Sequence, residues 1–209
     1  DSARANGEME EGFFFTWAPE EVDAILGPSI GKQFRLWYGV SAGGDVEGRS
    51  VLRTWRTPED LAKELEIPPA KLMTNIASAR TRLLAARSQH IRRWTIPRTD
   101  YPEGRNGYRR WRTDLARFHA STAAAILREV GYDDATVARV ESLLRKERLK
   151  TDPDVQLLED VICLVFLEHY LSDFAPKHDE ETLLGVLRQV GEDTIERRRH
   201  RVEAGQEEQ

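Results

Sequence analysis

Three side chains combine reactive chemistry with a telling position: His90, His119 and Asp160. His119 shares a helical face with Leu115, Thr122 and Ile126, so its imidazole is expected to point inward. There it is either a neutral ring held by one hydrogen bond or a ligand or acid–base group. Asp160, at about 100° of rotation per residue, falls nearest Cys163, Leu164 and Leu167. A carboxylate in that company needs an arginine, a metal or several donors. His90 closes a helix just before Arg92-Arg93-Trp94. If the three meet, two nitrogens and one oxygen result. Such a set binds one divalent metal, Zn, Mn or Fe, with open positions for water and phosphate. Arg93, Arg98, Arg117 and Lys146 are then the cations available to balance phosphate charge. The competing reading is a helix-end histidine in a polar network and a structural ion pair at Asp160. His169 and His178 read as parts of a helix end and a helix start, His200 as solvent-exposed, and Cys163 as packed rather than nucleophilic.

The net charge of −5 conceals a strong asymmetry. Residues 1–86 sum to −3, residues 87–150 to +7 and residues 151–209 to −9. In the cationic middle, arginines 92, 93, 98, 105, 109, 110, 112 and 117 alternate with Trp94, Tyr101, Tyr108 and Trp111. That mixture suits phosphate contact and base stacking. It is equally compatible with a basic middle that pairs internally with the acidic C-terminal part.

The elements that must position these groups read as helices. Residues 1–11 form a polar lead-in, and Gly12–Trp17 a short strand. Val22, Ile25 and Leu26 mark a helix over Pro19–Leu26 that Gly27-Pro28 stops. Residues 39–57 read as a glycine-containing connection without the spacing of a phosphate loop. Thr57-Pro58-Glu59-Asp60 opens a helix that ends at Ile67-Pro68-Pro69. Leu72, Met73, Ile76, Ala79, Leu83 and Leu84 mark one face of a longer helix reaching the Gln89-His90-Ile91 region. Arg98–Gly107 is a loop. Leu115, Phe118, Thr122, Ala125 and Ile126 then share a face up to a stop at Gly131. Val137, Val140, Leu143 and Leu144 follow behind an aspartate cap at 133 or 134, and Asp152-Pro153 starts the next helix. Val161–Leu167 is apolar all round, which predicts a central helix enclosed by others within one core over 112–190. A last helix runs from about Asp179 to Val190, before a charged tail from Glu192.

With 40 % hydrophobic and 32 % charged residues, the composition is that of a folded chain. The longest apolar run has seven residues, far short of the roughly 20 that span a bilayer. No membrane partner is expected, and no export signal is read at the N-terminus. The single cysteine excludes an internal disulfide and a cysteine-rich zinc site, which suits the cytoplasm.

Gly12-Phe13-Phe14-Phe15-Thr16-Trp17-Ala18-Pro19-Glu20-Glu21, Trp37-Tyr38-Gly39-Val40 and Glu47-Gly48 resemble part of the YyaL-like, spermatogenesis-associated thioredoxin-domain proteins. The likeness continues through Ala79 to Ser88 and corresponds to an insertion region of that family's helical toroid. No thioredoxin-type cysteine pair is present, so no catalytic residue carries across.

From about Leu83 the likeness changes. Gln89–Arg98, Arg117-Phe118-His119-Ala120, Arg145–Lys150, Leu158–Glu168 and Lys177–Glu181 resemble the domain-of-unknown-function family 4202. That family resembles, more distantly, the HD-domain phosphohydrolases. The likeness implies metal held by His90 and His119 on successive helices and by Asp160 as the late aspartate, with His119 and Asp160 as the catalytic pair. Ile91 stands where the paired aspartate belongs, and Lys146-Glu147 near another expected histidine. The ligands that remain need water or substrate to complete a metal shell.

The expected architecture is mainly all-α. An irregular N-terminal accessory segment with short helices (1–86), of which residues 1–66 make few contacts with the core, precedes an HD-like helical bundle (87–209). Two function classes follow: a metal-assisted phosphohydrolase acting on a phosphorylated small molecule, and a non-catalytic module binding RNA or another anion through residues 87–150.

Overall fold

The structure is a computed structural model and describes residues 2–3, 9–10, 15–165, 167, 171–177, 179–181 and 183–187. The fold is mainly helical, as the apolar spacing predicts. The described strands form two short antiparallel pairs: β1 (Ser2–Ala3) with β2 (Met9–Glu10), and β3 (Thr16–Trp17) with β4 (Ser50–Val51). The helices are α1 (Pro19–Leu26), α2 (Pro28–Tyr38), α3 (Pro58–Glu64), α4 (Pro69–Ser88), α5 (Gly104–Glu129), α6 (Asp134–Leu144), α7 (Pro153–Val165) and α8 (Leu171–Phe174). Residues 180–181 and 183–187 are also helical. Residues 12–14 of the expected first strand, His169, His178, His200, residues 188–190 and the charged tail lie outside the described residues. Two compact units divide the chain, residues 1–147 and 148–209.

In the first unit the helix boundaries follow capping chemistry. Pro19 opens α1, where the Glu21 carboxylate accepts from the Ala18 N–H at 3.2 Å. Gly27, at φ 75°, ends α1 and at once precedes α2. Pro28, read from sequence as a stop, is the first residue of that second helix, where its missing N–H costs nothing. Thr57 caps α3 as expected, its hydroxyl accepting from the Asp60 N–H at 3.2 Å.

Residues 19–64 are not a loosely attached segment. Val22, Leu26, Phe34, Trp37 and Leu61 bury together with Leu72, Ile76, Ala79 and Leu83 of α4 in one apolar cluster. Helix α4 packs on α1, α2 and α3 and also on α6, so the boundary expected at residue 86 falls within an uninterrupted helix. A polar clasp adds to this. The Arg49 guanidinium donates to the Thr16 carbonyl (3.0 Å) and to Glu21 (2.7 Å). Arg87, at the end of α4, donates to the same Thr16 carbonyl at 2.8 Å and lies 4.1 Å from the centre of the Trp17 ring.

Helix α5 begins at Gly104, inside the expected loop. Its buried stripe steps by four through Gly107, Trp111, Leu115, His119, Ala123 and Leu127. The face read from sequence is rotated from this one: Ala125 and Ile126 are exposed, and Phe118 and Thr122 are half-buried. The reason is that small residues set the contact. Ala120, Ala123 and Ala124 are buried where α5 packs along α6, while a reading weighted by side-chain size favours Ile126. Helix α6 buries Val137, Val140, Leu143 and Leu144 as expected, behind Asp133, whose carboxylate accepts from the Thr136 N–H at 2.8 Å.

In the second unit, Asp152 accepts from the Asp154 N–H at 3.1 Å as Pro153 opens α7. Val155, Leu158 and Asp160 are buried. Val161, Ile162, Cys163 and Leu167 are only half-buried, so this described part of the apolar run is not enclosed as expected. Because the compact units divide after Glu147, α5 and α6 belong to one and α7 to the other, rather than to a single core over 112–190.

Candidate functional site

The chain leaves α4 at Ser88 and turns through Arg92, a non-glycine residue in the left-handed region (φ 50°), into a 3-10 turn at Arg93–Thr95. Trp111 fastens this turn to α5: its indole N–H donates to the Ile96 carbonyl at 2.9 Å. Two helical turns after Trp111 on the same buried stripe stands His119, 4 % exposed. The turn brings His90 to it. The two imidazoles meet edge to face, with centroids 6.3 Å apart and planes at 81°.

Arg93 joins both ends of this arrangement. Its Nη1 donates to His90 Nδ1 at 3.3 Å, which assigns the proton of the neutral His90 ring to Nε2. Its guanidinium also lies 4.9 Å from the centre of the Trp111 ring, and Tyr108 tilts against Trp111 at 5.8 Å. A continuous row results: Tyr108, Trp111, Arg93, His90, His119.

The row is electropositive, and burial together with that charge keeps its histidines neutral. Burial first, then His90, Arg93 and Arg112, push His119 from its ordinary 6.5 down to about 4. His90 keeps solvent access, but loss of water first, followed by Arg93, Arg112 and Lys146, also holds it below its ordinary value. Lys146 sits just after α6 in a left-handed conformation (φ 58°). The His119 Nε2 atom is buried and has no hydrogen-bond partner among the described residues. Such an atom costs about 1–3 kcal/mol unless something meets it.

The other expected site residues are employed differently. Arg98 donates to the Tyr101 and Pro102 carbonyls, both at 2.9 Å, and so shapes the loop before α5. Arg117 is exposed and pairs with Asp114 at 3.6 Å. Asp160 is 2 % exposed on α7 in the second unit. Among the described residues, no group of three or more His, Cys, Asp and Glu side chains is placed to hold a metal ion. A metal at the histidine pair would draw its remaining ligands from water or substrate. Arg112 and Trp111, which the sequence offers only as part of the basic, aromatic middle, belong to the site. Arg112 precedes His119 by seven residues, two helical turns, a spacing that puts both on one side of α5.

Fold and site together define a mainly helical protein with a basic, aromatic-lined histidine pair. The chain belongs to the family described as "Domain of unknown function (DUF4202)", matched over residues 56–203. The match takes in α3 and α4 and therefore begins well before Leu83, where the sequence likeness was placed. No curated protein and no solved structure matches the chain. Among the described residues, no helix is long and apolar enough to cross a membrane.

Proposed function

We propose that this chain binds a phosphorylated ligand at the His90–His119 pair, with Arg93, Arg112 and Lys146 balancing its charge. The observation that carries this reading is the buried His119 Nε2 without a partner in cationic surroundings. A phosphate oxygen there would accept from the ring N–H, and the arginines would supply charge-assisted hydrogen bonds. An anion also offsets the mutual repulsion of the cations around it.

A second reading, a metal-assisted phosphohydrolase of the HD type, draws on the same rings. Both are held below their ordinary protonation, but only His119 has a free ring nitrogen, whereas His90 would have to release Arg93 from Nδ1 before it could ligate a metal. Calorimetric titration of the full chain with inorganic phosphate and pyrophosphate, with and without chelator, separates the two. Binding that survives chelator and is lost in His119→Ala and Arg93→Ala supports the anion site. Binding and phosphatase activity that both require added Mn or Zn support the hydrolase. No binding under either condition refutes both.

A further inference from the structure

We infer that the ligand is a single-stranded nucleic acid, with Trp94 and Tyr108 as stacking platforms along the turn and helix that carry the phosphate site. This rests on the phosphate reading above and gives its ligand a chemical class.

Trp94 is 77 % exposed, although it follows directly on Arg93, which is held between His90 and Trp111. Tyr108 is 48 % exposed and packs tilted against Trp111. Two large rings are thus presented to water from a turn and a helix that are themselves fastened by the Trp111–Ile96 hydrogen bond. A rigid, exposed aromatic ring is a poor use of apolar area unless a flat partner covers it. Nucleobases are such partners, and their phosphates require the cations beside the rings. Arg92, Arg105 and Arg109 are exposed on the same two segments. Charge complementarity therefore selects a polyanion, and the rings select one with unpaired bases. A duplex hides its base faces in the stack and offers only its backbone. A phosphorylated small molecule would satisfy the histidine pair but leave one of the two rings uncovered.

The test is fluorescence anisotropy of the full chain with a short labelled oligouridine, run beside calorimetry with inorganic phosphate. Wild type is expected to bind the single strand more tightly than the same length of duplex, and to weaken as salt rises. Trp94→Ala and Tyr108→Ala should each lower strand affinity roughly tenfold while leaving phosphate binding at His119 unchanged. Trp94→Phe should retain most of the affinity, because the ring face survives. Equal affinity for strand and duplex, or strand binding indifferent to both alanine variants, overturns the inference. Phosphate binding without strand binding overturns it and leaves the phosphate reading standing. Loss of both in the wild type removes the two together.

Discussion

The His90 and His119 rings touch edge to face at 6.3 Å, and His119 is held neutral by burial first, then by His90 itself and by Arg93 and Arg112. Protonating either would add a charge beside Arg93 and Arg112, so the pair resists protons that free histidines accept near 6.5. In the unfolded chain that resistance vanishes. Between 6.5 and about 4 the unfolded state binds more protons than the folded one, so stability falls as pH falls through that window and is flat above it. The shift at His119 sets a loss on the order of 3 kcal/mol. Urea midpoints at pH 7 and pH 4.5 should show it in wild type and much less in His119→Gln. Phosphate should move the His119 ring titration upward in an NMR pH series; a titration unmoved by phosphate would count against the site.

Trp111→Phe keeps a ring beneath Arg93 but removes the donor to the Ile96 carbonyl. The expected cost is about 1 kcal/mol of stability. The larger effect should be on ligand binding, because the turn that carries His90, Arg93 and Trp94 loses its tie to α5. Amide exchange of residues 91–97 should quicken in this variant.

At Gly107 a Cβ would run into the Pro102 carbonyl, so the first turn of α5 closes against the loop only because no side chain is present. Gly107→Ala should therefore destabilise, by more than about 1 kcal/mol, although alanine is the better helix former. Thermal unfolding of the variant checks the sign; a rise in melting temperature would contradict the packing.

Phe34 is 1 % exposed in the cluster that α1, α2 and α3 share with α4. Phe34→Ala should cost about 3–5 kcal/mol, the loss expected of a fully enclosed aromatic ring. A denaturant curve with a loss below about 1 kcal/mol would mean that residues 19–64 are a detachable appendage after all.

Much of the scaffold is legible in the residues because capping is local. Thr57, Gly131, Asp133 and Asp152 act within a turn of where they stand, and each does what its type implies. The Gly27-Pro28 pair ends α1 as its types imply, but that it also opens α2 is revealed only by the apolar partners of Phe34 and Trp37. Of the site, His119 is readable as inward-facing from its helix alone. The His90 contact is not, since it depends on a left-handed Arg92 and on an indole hydrogen bond spanning fifteen residues. The role of Arg98 is hidden likewise, because a basic residue in sequence does not disclose that two backbone carbonyls occupy it.

The bond from Arg87 to the Thr16 carbonyl spans 71 residues of chain. A connection of that length has a high entropic cost of closure and gains nothing until both ends are rigid. The β3–β4 pairing and the Arg49 contact need no residue beyond 51, but the Arg87 contact needs the end of α4, which puts this last fastening of β3 late in the order of assembly. Helix α4 then acts as the template on which the earlier part of the chain is completed, so the last contacts to form are made by the first described residues of the unit's core. A chain growing from its N-terminus cannot finish that segment until residue 87 has been made, and until then Trp17 has no guanidinium to cover it.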